Sequence, residues 1–197
     1  MCLLFESIAC QERELKNIRF HEERMNNSRV GLKLSSKPFS LSEISIPNQV
    51  TSGLWKCKVI YGSAINQIIF TPYEPKKPTK FKLIEVDMDY NHKYTDRFDI
   101  ERIFADKGSY DEIIMVKSGL ITDTSIGNLI FLRDRQWFTP DTPLLPGTMR
   151  AKLLEEKLIT PTKIRPEDLA SYDSFMAINA LNPFNEERAI NISAISG

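Results

Sequence analysis

Four short stretches of the sequence bring together residue types that can do chemistry. Lys93 lies in Asn91-His92-Lys93-Tyr94-Thr95-Asp96-Arg97, after a strand pattern and before a helix start. An amine held there can condense with a carbonyl to form a Schiff base; the plain alternative is a solvated loop lysine. Leu145-Pro146-Gly147-Thr148-Met149-Arg150 opens a helix with a glycine. The first backbone N–H groups of a helix lie at its positive end and suit a phosphate, although a simple Pro-Gly turn reads the same way. Asp123 sits among small polar residues in Gly119–Phe131, after one strand pattern and before another. It is either an Asx-type turn residue or a carboxylate aimed inward at a cation. His21 and Arg24, in His21-Glu22-Glu23-Arg24-Met25, are three apart and share a helical face. That face is a solvated charged surface, or it presents an arginine that grips a phosphate or carboxylate.

The elements that must position these residues fall into two parts. Thr71-Pro72-Tyr73-Glu74-Pro75-Lys76-Lys77-Pro78 has three prolines in eight residues, a run that cannot continue a helix or lie in a central strand. It predicts a small domain over 1–73, a linker at 74–78 and a larger domain over 79–197. In the first part, Leu3–Cys10 is β-compatible and His21–Val30 helical, while Gly31–Gln49 is rich in Ser and Pro and irregular. Leu54–Tyr61 alternates, with Trp55, Cys57, Val59 and Tyr61 on one face and Lys56 and Lys58 on the other. That is a half-buried strand, and Gln67–Tyr73 is its expected hairpin partner.

In the second part, Phe81–Met88 reads as a strand, and Thr95 can cap a helix that runs to Lys107 and stops at Gly108. Asp111–Val116 is a strand ending in a Ser118-Gly119 turn. Asn128–Leu132 and Trp137–Thr139 form a hairpin around Asp134-Arg135. A helix from Met149 carries Leu153, Leu154 and Leu158, and Ser174–Ala180 is a last buried strand. The class is α+β, with mainly hairpin-type strands in both parts.

Composition narrows the function classes. The chain has 197 residues, enough for a sizeable core. Its 26 basic and 26 acidic residues cancel, so no net field favours nucleic acid or an anionic membrane. No apolar run reaches the ~20 residues of a membrane span, and Met1–Glu6 is unlike a signal peptide. Cys2, Cys10 and Cys57 are odd in number and lack a CxxC pair, which fits a reducing cytoplasm. With His21 and His92 as the sole histidines, a multi-histidine metal site is excluded and no metal is expected. Gly-x-Ser-x-Gly, Walker and Gly-x-Gly-x-x-Gly motifs are all missing.

Taken in order, these stretches resemble the class IV aminotransferase family, the fold type IV pyridoxal-phosphate enzymes that include 4-amino-4-deoxychorismate lyase. Phe5-Glu6-Ser7-Ile8 looks like the family's "FETI" strand and His21–Met25 like its "HxxRL" helix. Lys93–Arg97 is similar to the lyase's "K-x-x-N/D-R". Thr122–Leu129 looks like "TETSxxNLF", and Thr139-Pro140 with Leu145–Arg150 like "TP…LPGIxR". Asn179-Ala180-Leu181-Asn182-Pro183 resembles the "NALxP" of the lyase, where transaminases tend to have "GTA". Two departures stand out. The usual first hairpin before "FETI" is missing, and Asp123 replaces a glutamate, which shortens the carboxylate by roughly 1.5 Å.

The resemblance implies a small α/β domain and a larger barrel-like domain with the cofactor cleft between them. It implies pyridoxal 5′-phosphate on Lys93 as a Schiff base, with Lys93 then serving as general base and acid. Asp123 would pair with the protonated ring nitrogen. Arg24, the N–H groups of Thr148 and Met149, and the Asn179 side chain would hold the phosphate. Lys56, Lys58 and Arg97 could neutralise substrate carboxylates. It further implies a small amino-acid-like substrate, a cytoplasmic homodimer, and no nucleic-acid or membrane partner. Lyase action on 4-amino-4-deoxychorismate is the favoured reading. A branched-chain or D-amino-acid aminotransferase and a cofactor-free relic of the fold are the alternatives. Lys93→Ala is expected to abolish turnover and the visible absorption of the loaded protein; an unchanged spectrum in that variant sinks the assignment.

Overall fold

The computed structural model describes residues 3–35 and 37–196; Cys2 lies outside them. The chain divides into two compact units, one of residues 1–75 with 92–96, the other of 76–91 with 97–197. The first unit holds β1 (Leu4–Gln11), β2 (Glu14–Leu15), α1 (Ile18–Gly31), β3 (Leu54–Tyr61) and β4 (Ile65–Pro72). Its sheet has the order β2-β1-β3-β4 and every pairing is antiparallel. One face of β1 and β3 carries Leu4, Ile8, Cys10, Cys57, Val59 and Tyr61, all fully buried. The period-2 alternation of a half-buried strand therefore holds as expected for β3, with Cys57, Val59 and Tyr61 inward.

Helix α1 begins three residues earlier than the sequence pattern indicates. Its buried positions are His21, Met25, Ser28 and Arg29, a stripe at helical spacing in which Met25 alone is apolar. Arg29 is 1% exposed. It donates to the carbonyls of Gly62 (3.2 Å), Ser63 (3.0 Å) and Lys37 (2.6 Å), and its guanidinium lies 3.5 Å from the Phe39 ring centroid. This buried cation ties the helix to the β3–β4 turn and to the long connection. Residues 32–53 otherwise contain no helix or strand among those described. The connection is held by such side-chain bonds and by the buried Leu41 and Val50.

The second unit holds β5 (Phe81–Glu85), α2 (Phe98–Ala105), β6 (Glu112–Lys117), β7 (Leu120–Thr124), β8 (Asn128–Arg133), β9 (Gln136–Pro140), α3 (Thr148–Glu155), β10 (Thr160–Thr162), β11 (Ser174–Ile178), β12 (Ile190–Asn191) and β13 (Ile195–Ser196). Nine strands form one sheet with the path β10-β9-β8-β7-β6-β5-β13, and β11 joins it at β8. Strands β8 and β11 are covered on both faces. Leu129, Phe131 and Phe175 pack in one cluster, while Ile130, Met176 and Ile178 pack with Met149 and Leu153 of α3 in another. Burial on both sides explains why β8 reads as an unbroken apolar run.

Several expectations change here. Antiparallel pairings predominate in this sheet, as expected, but β5 pairs parallel with β6, β13 with β5, and β10 with β9. The run Leu120–Thr124 is a strand rather than part of a turn, because the Ser118-Gly119 turn, with φ of 53° and 73°, folds it straight back onto β6. Thr95 does not cap α2. Its Oγ1 and N–H both donate to Leu3 O (3.1 and 2.9 Å), and the helix starts three residues later. Leu158 lies beyond α3, which cannot continue through Lys157 at φ 58°. Finally, the segment 92–96 belongs to the first unit rather than the large domain. Phe5 N donates to Lys93 O (2.9 Å), and Tyr94 bridges Leu4. Arg29→Met should destabilise the protein by about 3 kcal/mol, because it strands the buried Gly62 carbonyl and loses the bonds to Lys37 and Ser63; the shift in urea midpoint checks this.

Candidate active site

Lys93 is positioned by its backbone. The 92–95 segment lies along β1, so the Lys93 amine reaches Phe5, with Nζ 4.8 Å from the ring centroid. Lys58, from β3, also sets its Nζ 4.8 Å from that ring. Both are half-buried. Lys56 lies two residues away with its Nζ 5.9 Å from the Tyr73 ring.

On β1, Glu6 sits on the face opposite Phe5 and is fully buried. It meets α1, where His21 Nδ1 lies 2.6 Å from Oε2, and Arg24 donates from Nε to Oε1 (3.0 Å) and from Nη2 to Oε2 (2.5 Å). His21 and Arg24 do share a face, as their spacing requires, and that face is turned inward. Burial alone raises a carboxyl pKa, but the Arg24 and His21 contacts outweigh it and hold Glu6 at about 2. Burial pushes the His21 imidazole down, although Glu6 opposes this. A neutral imidazole then donates from Nδ1 to Glu6. The planar guanidinium meets Glu6 through its Nε–Nη2 edge. Glu6 escaped the sequence reading, but a signal existed. It is the single charge within Leu3–Cys10 and falls in phase with the inward Leu4, Ile8 and Cys10.

In the second unit, Asp123 lies inside β7, directly opposite Asn128 of β8. Its Oδ1 accepts from Asn128 Nδ2 (2.7 Å), and its Oδ2 accepts from the backbone N–H of Leu145 (2.9 Å). Burial is the largest influence and raises the carboxyl to about 6, against the lowering effect of those donors and of the Arg150 charge. Arg150 itself donates to Thr139 Oγ1 (3.2 Å) and Pro140 O (2.9 Å). Both Asp123 oxygens are thus met by neutral donors, an arrangement that would welcome a buried cationic N–H.

Helix α3 starts at Thr148, directly after Gly147. Thr148 and Met149 are buried and supply the first N–H groups of the helix. Gly147 is required by packing rather than by φ: a Cβ there would lie 1.9 Å from Asn128 Oδ1. Asn179 is held by backbone groups at both ends of its carboxamide. Its Nδ2 donates to Ile126 O (3.1 Å), and its Oδ1 accepts from the N–H groups of Leu181 (2.8 Å) and Asn182 (2.9 Å). The carboxamide closes the 179–182 turn against the β7–β8 turn, and this contact uses one of its two Nδ2 hydrogens. Arg97 donates to Ser125 O (2.7 Å) and lines a pocket of about 630 Å³ with Lys76, Lys77, Ile100 and Phe104. Lys93, Arg24 and Lys58 therefore gather in the first unit, and Asp123, Thr148, Met149, Asn179 and Arg97 belong to the second.

Residues 87–185 match the family model described as amino-transferase class IV. The chain is 39% identical over 183 residues to an uncharacterized protein of Haemophilus influenzae, spanning 91% of this chain and 97% of that one. A crystal structure from Haemophilus somnus, assigned provisionally as a 4-amino-4-deoxychorismate lyase, matches with a TM-score of 0.87. It is 38% identical, over 93% of this chain and 98% of the other. A structure from Mesorhizobium loti, assigned provisionally as an amino-acid aminotransferase, matches with a TM-score of 0.81 at 22% identity, over 97% and 98% of the two chains; it speaks for the fold alone. The chain belongs to the class IV aminotransferase family, and with it to the pyridoxal-phosphate-dependent enzymes of fold type IV. No described helix is long and apolar enough to cross a membrane.

The two buried carboxyls act on stability in opposite directions with pH. Glu6, depressed from 4.5 to about 2, stabilises fully above its unfolded value and loses that contribution as pH falls toward 2. Asp123, raised from 3.8 to about 6, favours the fold below 3.8 and loses that effect as pH rises through 6. Glu6→Gln should therefore destabilise the protein by about 3 kcal/mol near neutrality, as expected when one member of a buried charge cluster is removed. The loss should shrink as the pH approaches 2, and urea midpoints across pH check both parts.

Proposed function

We propose that the protein is a pyridoxal 5′-phosphate-dependent lyase that converts 4-amino-4-deoxychorismate to 4-aminobenzoate and pyruvate. The donor set suits that cofactor. A lysine amine suits its aldehyde, an arginine and a helix N-terminus its phosphate, and a buried carboxyl between neutral donors its ring nitrogen. The observation that carries the lyase reading is the pair of lyase-type segments, Lys93-Tyr94-Thr95-Asp96-Arg97 and Asn179-Ala180-Leu181. The 38% identity to the Haemophilus somnus protein over nearly its whole length supports it.

Bound cofactor supplies an electron sink for the bond-breaking step. Lys93 Nζ would tether it and, once displaced by the substrate amine, take the proton from the ring carbon that bears the amine. The same nitrogen would return that proton to the departing enolpyruvate, which leaves as pyruvate while the ring becomes aromatic. Asp123 would keep a negative charge opposite the ring nitrogen. Arg24, steadied by Glu6, and the N–H groups of Thr148 and Met149 would hold the phosphate. Lys56, Lys58 and Arg97 remain the cations available to substrate carboxylates. The proposal extends to a cytoplasmic homodimer supplying 4-aminobenzoate for folate.

An aminotransferase acting on branched-chain or D-amino acids would use the same residues, and the family and fold are shared with such enzymes. Incubating the loaded protein with 4-amino-4-deoxychorismate, and separately with amino acids plus 2-oxoglutarate, separates the two. Formation of 4-aminobenzoate in the first reaction is expected; glutamate in the second without 4-aminobenzoate in the first reverses the assignment.

A further inference from the structure

The Asp123 carboxylate does not stand alone. Asn128 Nδ2 donates to Asp123 Oδ1 (2.7 Å) and to Leu145 O (2.9 Å), while Leu145 N donates to Asp123 Oδ2 (2.9 Å). The three residues form a closed ring in which the N–H and the C=O of Leu145 are both held. The other atom of the carboxamide, Oδ1, occupies the space that a Cβ on Gly147 would take, at 1.9 Å. Gly147 immediately precedes α3. One side chain, 5% exposed, thus touches the carboxylate on β7 and the glycine that opens the helix.

The length of the carboxylate sharpens the point. A glutamate can hunt for its partner with an extra rotor, whereas Asp123 is short and set by its neighbours. With one fewer side-chain torsion, its oxygens go where Asn128 and Leu145 put them.

We propose that Asn128 is a positioning residue. It sets the orientation of Asp123 toward the ring nitrogen and couples that carboxylate to the Gly147 helix start that receives the phosphate. The proposal rests on the pyridoxal 5′-phosphate reading of the site. It assigns Asn128 no contact with the cofactor; it acts through Asp123 and Gly147.

The test is cofactor affinity, read from absorbance and fluorescence titrations of cofactor-free protein. Wild type, Asn128→Ala, Gly147→Ala and Asp123→Ala are each titrated with pyridoxal 5′-phosphate and with its analogue in which carbon replaces the ring nitrogen. Asn128→Ala should weaken pyridoxal 5′-phosphate about tenfold or more, as for loss of a hydrogen bond to a charged group, and should weaken the carbon analogue clearly less. Gly147→Ala leaves the carboxamide present but drives a methyl into it, so it should show the same selective loss even if Asn128→Ala fails to fold. Equal losses for both ligands, or none, would overturn the proposal, because a merely structural residue does not distinguish them. A second readout needs no cofactor. The carbon-13 titration of the Asp123 carboxyl should move upward in Asn128→Ala, since a donor that favours the ionised form is gone; an unmoved titration also refutes the role. If wild type binds neither ligand while that titration moves, the cofactor reading fails and the positioning of Asp123 stands.

Discussion

A carboxylate with no access to water has to be answered by the groups around it, and Glu6 is answered from one helix. Its partners, His21 and Arg24, are one helical turn apart on α1. Moving a charge out of water costs several kcal/mol unless it is paired and hydrogen-bonded. The arrangement therefore sets both the rotation of α1 over the sheet and the direction of the Arg24 guanidinium. The helix can afford to bury His21 and Arg29 because each of these finds its partner in the strand and loops beneath. The same strand, on its other edge, takes the 92–95 segment into its backbone ladder and so carries Lys93. One eight-residue strand thus determines where an amine and a guanidinium lie.

The second unit solves a similar problem with neutral donors. Asp123 is as buried as Glu6, yet no cation bonds it among the described residues, and its carboxyl is raised rather than lowered. The contrast follows from the neighbours: a guanidinium fork and an imidazole at one site, a carboxamide and a peptide N–H at the other. Glu6 is a structural anion whose charge is already spent on Arg24 and His21. Asp123 keeps a charge that a bound cationic ring nitrogen could complete. Two buried acids in one small protein thus carry different functional meaning for reasons that lie in their hydrogen bonds.

Much of this was legible in the linear chain. The strand over Leu54–Tyr61 and the turn at Asp134-Arg135 follow from alternation and turn chemistry. The helical phase of His21 and Arg24 and the helix start after Gly147 were equally visible. The misreadings share one cause, which is that tertiary partners redirected a local preference. Thr95 had the chemistry of a helix cap, but its hydroxyl found Leu3 across the chain. Leu120–Thr124 looked like turn residues because its threonines and aspartate are polar, whereas burial between strands made them a strand.

What the chain alone settled were residue identities and their order: a lysine between a strand and a helix, an arginine in phase with a histidine, a glycine at a helix start. These depend on covalent spacing and backbone geometry, which act within a few residues. Which groups meet was decided by the tertiary structure. Glu6 with Arg24, Asn128 and Asp123 with Leu145, and Lys93 with Phe5 are joined by desolvation and by hydrogen bonds across many residues. A buried polar group pairs with whatever donor the packing brings within about 3 Å, and no local pattern encodes that distance.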